Sequence, residues 1–168
     1  MWEKDIPQSM HGLALAWSYM PHAFSVKCNG LKSPIETFNS DKDFIRKKMK
    51  QMDMRETPSG LRKTLKMMTG SQSVSNFRPT AAHAIYKRYA PENGITWDMS
   101  AGYGGRLLGA IKSFTNYIAT EPCQVTYDGL NNIIRDFGKP TNLFNNNLHL
   151  EIIKSGSEEY LPDRNSID

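Results

Sequence analysis

Residues 95–109 constrain this chain more than any other stretch. Ile95-Thr96-Trp97-Asp98 reads as a short, partly apolar strand. Met99-Ser100-Ala101-Gly102-Tyr103-Gly104-Gly105 breaks it with small residues and glycines. Leu107, Leu108 and Ile111 then resume at helical spacing. Strand, glycine turn and helix in that order build a nucleotide-type site at the carboxyl end of the strand. Glycines there let backbone approach a ligand and adopt positive φ. A tight turn without a ligand is the competing reading of the same residues.

A dinucleotide fingerprint would read G-x-G-x-x-G. Gly102 and Gly104 match it, but Leu107 stands in the third place. A second acid adds weight to the ligand reading. Tyr117-Ile118-Ala119-Thr120-Glu121 reads as the next strand, ending on Glu121. That acid falls near the spacing of roughly 20 residues expected for a group that accepts from ribose hydroxyls.

The rest of the chain supplies the frame. Ser40 with Asp43 three residues on predicts a helix start, a variant of the capping box. Phe44, Ile45, Met49 and Met52 form one face of that helix, and Lys42, Arg46, Lys47 and Lys50 the other. A second helix follows Pro58-Ser59-Gly60, with Leu61, Leu65 and Met68 inward, Arg62, Lys63 and Lys66 outward, and Gly70 as its stop. Pro79 opens a third helix carrying Ala81, Ala84, Ile85 and Tyr89. Leu130, Ile133, Ile134 and Phe137 recur at i, i+3, i+4 and i+7, and Gly138 and Pro140 end that helix. Leu148–Ile153 alternates as a third strand with His149 on its polar face. Residues 165–168 look like the opening of a fourth. Residues 1–39 show no sustained period and read as irregular structure.

Charge divides unevenly. Residues 1–90 hold 15 Lys/Arg against 7 Asp/Glu, and residues 91–168 hold 6 against 10. A basic first half suggests a polyanionic partner, although a solvated helix face has the same composition. Cys28 and Cys123 are isolated, which indicates neither a zinc site nor a disulfide framework and suits a reducing cytoplasm. No run of 18 apolar residues and no basic-then-apolar leader occurs, so neither a membrane span nor a signal peptide is expected.

Asp98-Met99-Ser100-Ala101-Gly102-Tyr103-Gly104 resembles the first motif of class I S-adenosylmethionine (SAM) methyltransferases. Asn76-Phe77-Arg78-Pro79, the turn through Arg106, and Glu121-Pro122 together resemble bacterial and phage DNA amino-methyltransferases, which make N6-methyladenine or N4-methylcytosine. The likeness spans residues 58–168. It implies an α/β, Rossmann-like class I methyltransferase sheet, incomplete, preceded by a mainly helical N-terminal extension over residues 1–75. It further implies SAM as methyl donor and DNA as substrate. Phe77, Asp98, Ser100, Ala101, Gly102, Gly104 and Glu121 are then the cofactor-binding residues. Glu158, after Gly156-Ser157, is the candidate for the adenine ring. Arg46, Lys47, Lys50, Arg62, Lys63 and Lys66 are the candidates for nucleic-acid phosphate.

One departure is large. Such enzymes use an (Asp/Asn/Ser)-Pro-Pro-aromatic loop to hold the target amine, and residues 1–168 contain no Pro-Pro pair. No catalytic residue is therefore assigned, and a second polypeptide or C-terminal half is the expected partner for the rest of the sheet. Pro122-Cys123-Gln124 matches the nucleophile motif of cytosine-C5 methyltransferases but falls too early in the strand order. Cys123 is read as a helix-start residue. Two other classes stay open: a SAM methyltransferase acting on RNA, protein or a small molecule, and a nucleic-acid-binding module with a methyltransferase-like fold.

Overall fold

The computed structural model describes residues 9–67, 70–138, 148–163 and 166–167. Among them the chain is α/β, with seven α-helices and a three-stranded parallel sheet. It forms two compact units, one of residues Pro21–Ser75 and one joining the chain up to Met20 with that from Asn76 onward.

In the α/β unit, α1 (Leu13–Tyr19) precedes α5 (Pro79–Tyr89), β1 (Ile95–Asp98), α6 (Gly105–Ser113), β2 (Asn116–Thr120), α7 (Gln124–Phe137) and β3 (Leu150–Ile153). The order across the sheet is β1-β2-β3. Trp97 lies opposite Ile118, and Ala119 opposite Ile152. Parallel strands need long crossovers, and α6 and α7 supply them. Both helices turn an apolar face inward: Leu107, Ala110, Leu130 and Ile133 are fully buried, as is Tyr117 on β2. β2, the central strand, is buried along most of its length, as expected for a strand covered on both edges.

Residues 9–20 join the α/β unit rather than the N-terminal extension, and the irregular structure expected there contains a helix. α1 reads Leu-Ala-Leu-Ala-Trp-Ser-Tyr, too short and too uniformly apolar to show a helical stripe, and packing on α7 and α6 fixes it. Gly129 of α7 permits that approach, since a Cβ there would sit 2.7 Å from both Met20 Sδ and the Tyr19 carbonyl.

The second unit holds α2 (Pro34–Ser40), α3 (Lys42–Gln51) and α4 (Pro58–Met67). The expected start at Ser40 is corrected: Ser40 ends α2, and Asp41 caps α3, accepting from Phe44 N at 2.8 Å. A full capping box stands instead at the start of α2, where Ser33 and Glu36 bond each other's backbone N–H. α4 starts at Pro58 itself, not after Gly60. Ile45, Met49 and Leu65 form the core of this unit, with Phe38, Met54 and Leu61 against it. Phe44, expected on the inner face, is 45% exposed.

On α5 the buried side chains are Pro79, Ala82 and Tyr86, while Ile85 and Tyr89 are exposed. The inward stripe is set by α6, against which α5 packs most extensively. β2 ends one residue before Glu121, and β3 begins at Leu150. The Ser166 N–H bonds to the Asp163 carbonyl, and neither Ser166 nor Ile167 belongs to a strand. Met68, Pro140, Asn165 and Asp168 lie outside the described residues. No described helix is long and apolar enough to cross a membrane.

Candidate functional site

The carboxyl ends of β1 and β2 bring most of the expected residues together. The chain leaves β1 at Asp98 and re-enters helix at Gly105, and the turn between is anchored across the sheet. Ala101 is buried, and its N–H bonds to the Thr120 carbonyl at 3.0 Å; the Thr120 hydroxyl bonds to the Met99 carbonyl at 2.7 Å. Gly102 and Gly104 have φ of +58° and +82°, the left-handed region that side chains disfavour. A Cβ at Gly102 would meet nothing nearer than Arg106 Nη2 at 3.7 Å. One side of the turn is therefore open, and its backbone is accessible to a ligand.

Asn76 holds the other side. Its amide donates to the Tyr103 carbonyl at 2.8 Å and accepts from Gly105 N at 3.2 Å. The Phe77 carbonyl packs where a Gly105 side chain would be, 1.9 Å from that Cβ position. The segment before α5 is thus strapped flat over the turn and the first residue of α6. Trp17 of α1 adds a ring contact to Tyr103, with centroids 5.6 Å apart. Asn76 and Trp17 escaped the sequence analysis as site residues. The Asn76-Phe77-Arg78-Pro79 run pointed at the segment but not at the amide that ties it down.

Asp98 sits inside a network rather than alone. Its Oδ2 accepts from Arg106 Nε at 2.5 Å and from the Tyr117 hydroxyl at 2.6 Å, and its Oδ1 accepts from Ser100 N at 3.1 Å. Arg106 also donates from Nη2 to the Ser100 carbonyl and lies over the Phe77 ring, 5.6 Å from its centroid. Burial, and then the Asp98 carboxylate, push the Tyr117 hydroxyl well above its ordinary pKa. The same two causes raise Tyr86. Burial works against the Arg106 charge, but the hydrogen bond and charge of Asp98 outweigh it and raise its pKa. Both tyrosines are therefore neutral at physiological pH, and the Tyr117 hydroxyl donates to Asp98. No role was read for Arg106 or Tyr117 from the sequence, because Tyr117 reaches Asp98 through the parallel register of β1 and β2 and Arg106 through the fold of α6 back on β1.

Glu121, directly after β2, is 7% exposed. Its N–H bonds to the Ile153 carbonyl and its Oε1 accepts from Cys123 N, both at 3.0 Å. The carboxylate therefore sits at the start of α7, where a negative charge suits the helix dipole. Cys123 occupies the N-cap position of α7 and is exposed. Hydrogen bonds from Thr126, side chain first and backbone second, hold its thiol below the ordinary range. Glu158 lies in the turn after β3, exposed, with its carboxylate folded over Gly156 of the same turn.

In the second unit, Arg46, Lys47 and Lys50 are exposed on α3, and Lys63 and Lys66 on α4. Arg62 is half-buried, its guanidinium 6.0 Å from the Phe24 ring centroid. Arg46 also lies 3.6 Å from Asp43. No group of three His, Cys, Asp or Glu side chains with metal-site geometry occurs among the described residues.

The fold and site define a parallel α/β unit with an open glycine turn at the carboxyl end of its first strand and an acid at the end of its second. No family model, curated protein or solved structure matches the chain.

Proposed function

We propose that this chain is the SAM-binding part of a DNA methyltransferase that modifies an exocyclic amine of adenine or cytosine. The observation that carries the reading is the glycine turn, positive in φ at Gly102 and Gly104 and open at Gly102, flanked by Asp98 at the end of β1 and buried Glu121 after β2. An adenosyl group lying over the turn would meet backbone at Gly102 rather than a side chain. Its ribose hydroxyls would donate to Glu121, whose Oε1 already has Cys123 N–H as a fixed partner. The donor, when bound, supplies an electrophilic methyl on a sulfonium. The residues of this chain bind and orient it: Asn76 fixes the turn, Ala101 anchors it to β2, and Tyr117 and Arg106 hold Asp98 in place.

The test is calorimetric titration with SAM and S-adenosylhomocysteine. Wild type should bind both. Glu121→Gln keeps an acceptor for Cys123 N–H but weakens acceptance from the ribose, and affinity should fall about tenfold or more. Gly102→Ala places a methyl on the open side of the turn and should weaken binding similarly. Binding unchanged in both variants would refute the site.

The DNA part of the reading is supported by the cationic faces of α3 and α4. Clustered Lys/Arg favour phosphate contacts, which release counterions and carry no sequence information. Duplex DNA affinity should fall steeply between low and physiological salt, with little sequence preference. Lys63→Glu with Lys66→Glu should flatten that dependence in a filter-binding assay; an unchanged slope would remove these helices from the interface.

A further inference from the structure

A cavity of about 420 Å³ lies in the α/β unit where α5 and the last turns of α6 meet the start of α1 and the end of α7. Leu15, Pro79, Leu108, Ile111 and Phe137 form its apolar walls. It shares no residue with the glycine turn or the strand-end acids. The chain itself fixes the walls. The Thr80 hydroxyl donates to the Ser9 carbonyl at 2.9 Å, which ties the start of α5 to the segment before α1. Gly12, at φ +84°, lets that segment close on α5, since a Cβ there would lie 3.0 Å from the Pro79 ring. Apolar walls, a few polar groups and this volume are the make-up of a small-molecule site.

The polar lining selects the chemical class. Lys112, His83 and His11 contribute nitrogens, and no Asp or Glu lines the cavity among the described residues. His83 Nδ1 lies 2.8 Å from Ser113 Oγ, so Nε2 is the ring atom left for a ligand. Ser113 Oγ also lies 2.8 Å from the Gly109 carbonyl. When the hydroxyl turns its hydrogen to Nδ1 instead, Nε2 carries the ring proton and donates. Burial, then the charges of Lys87 and Lys112, hold the His83 imidazole below its ordinary pKa range. The same positive field that resists a proton on His83 favours an anion beside it. One fixed ammonium matches one negative charge. A phosphate would leave further charged oxygens against walls that cannot bond them, which is costly. We propose that this cavity binds a free small-molecule monocarboxylate with an apolar body. The carboxylate lies between Lys112 Nζ and His83 Nε2, and the body packs on Leu108, Ile111 and Phe137. The inference is independent of the proposed SAM site.

The experiment titrates the full 168-residue chain with octanoate, octanol and octylamine, which share an apolar body and differ in the head group. Octanoate should bind roughly tenfold or more tightly than octanol, the range expected for a hydrogen bond to a charged group. Octylamine should bind more weakly than octanol. Lys112→Met should bring octanoate down to the octanol level and leave octanol nearly unchanged. Ile111→Trp fills the cavity and should weaken octanoate and octanol alike. Octanoate binding no tighter than octanol, or octylamine binding as tightly as octanoate, would overturn the carboxylate assignment. Unchanged octanoate affinity in Lys112→Met would place the ligand elsewhere and overturn the site, as would failure of all the ligands to bind. Lys112 is exposed, so its replacement spares the core. Should Ile111→Trp not fold, the Lys112 variant decides the location alone.

Discussion

Gly109→Ala is expected to destabilise the α/β unit, against the usual sign of that substitution. In a helix interior the change normally stabilises by about 0.8–1 kcal/mol. At Gly109 the added Cβ would lie 2.4 Å from Ala82 Cβ and 2.9 Å from His83 N. Neither neighbour can swing away, because one is attached directly to the backbone of α5 and the other belongs to it. α5 and α6 would have to separate along their shared face, the most extensive helix–helix contact among the described residues. Overpacking typically costs about 1–3 kcal/mol, and a backbone clash belongs at the upper end of that range. A loss of roughly 2–3 kcal/mol is a large share of a typical domain stability of about 5–15 kcal/mol. Urea denaturation followed by circular dichroism measures it. Gly102→Ala is the control: its Cβ has room, and only the positive φ opposes it, at about 1–2 kcal/mol. Wild-type stability in Gly109→Ala would mean that the α5–α6 contact is looser than the structure shows.

Asp98→Ala is the second large effect. It removes the shared acceptor of Arg106 and Tyr117 at once. Tyr117 is fully buried, so its hydroxyl would be left without its partner away from water. The Arg106 side chain is 31% exposed, so solvent would screen part of its uncompensated charge. Breaking one side of a fully buried pair costs about 3–5 kcal/mol, and screening brings the expectation here to roughly 2–3 kcal/mol. Asp98→Asn keeps an acceptor for Tyr117 and should lose less. Adding Arg106→Met to Asp98→Ala should recover part of the loss, since it removes the orphaned cation and fills the space with apolar atoms. A double-mutant cycle by chemical denaturation reads the coupling, and additive single effects would show that Asp98 and Arg106 do not act as a pair.

The strands and helices of the parallel unit follow from local chemistry. The helix at Leu130 and Ile133 was legible because its apolar spacing is complete within one segment, and β1, β2 and β3 stand out as short runs between glycines, prolines and helices. The start of α2 was also legible in principle. Ser33-Pro34-Ile35-Glu36 is a capping box with proline at the first helical position, a stronger start signal than the one at Ser40. α1 carried no such mark: seven largely apolar residues have no polar face to betray a period, and only α6 and α7 decide that they are helical.

For the site, the sequence by itself determined the glycine turn and the two strand-end acids. Positive φ at Gly102 and Gly104 is a property of those residues and their neighbours, and strand ends follow from local patterning. Tertiary structure decided what those groups do. Asp98 meets Tyr117 because β1 and β2 pair in parallel with Thr96 opposite Tyr117. It meets Arg106 because the turn folds α6 back on β1, and Asn76 reaches Tyr103 and Gly105 because α5 packs on α6. These contacts join residues from 8 to 29 positions apart. Their geometry depends on where whole helices come to rest against the sheet, which no short window of sequence encodes.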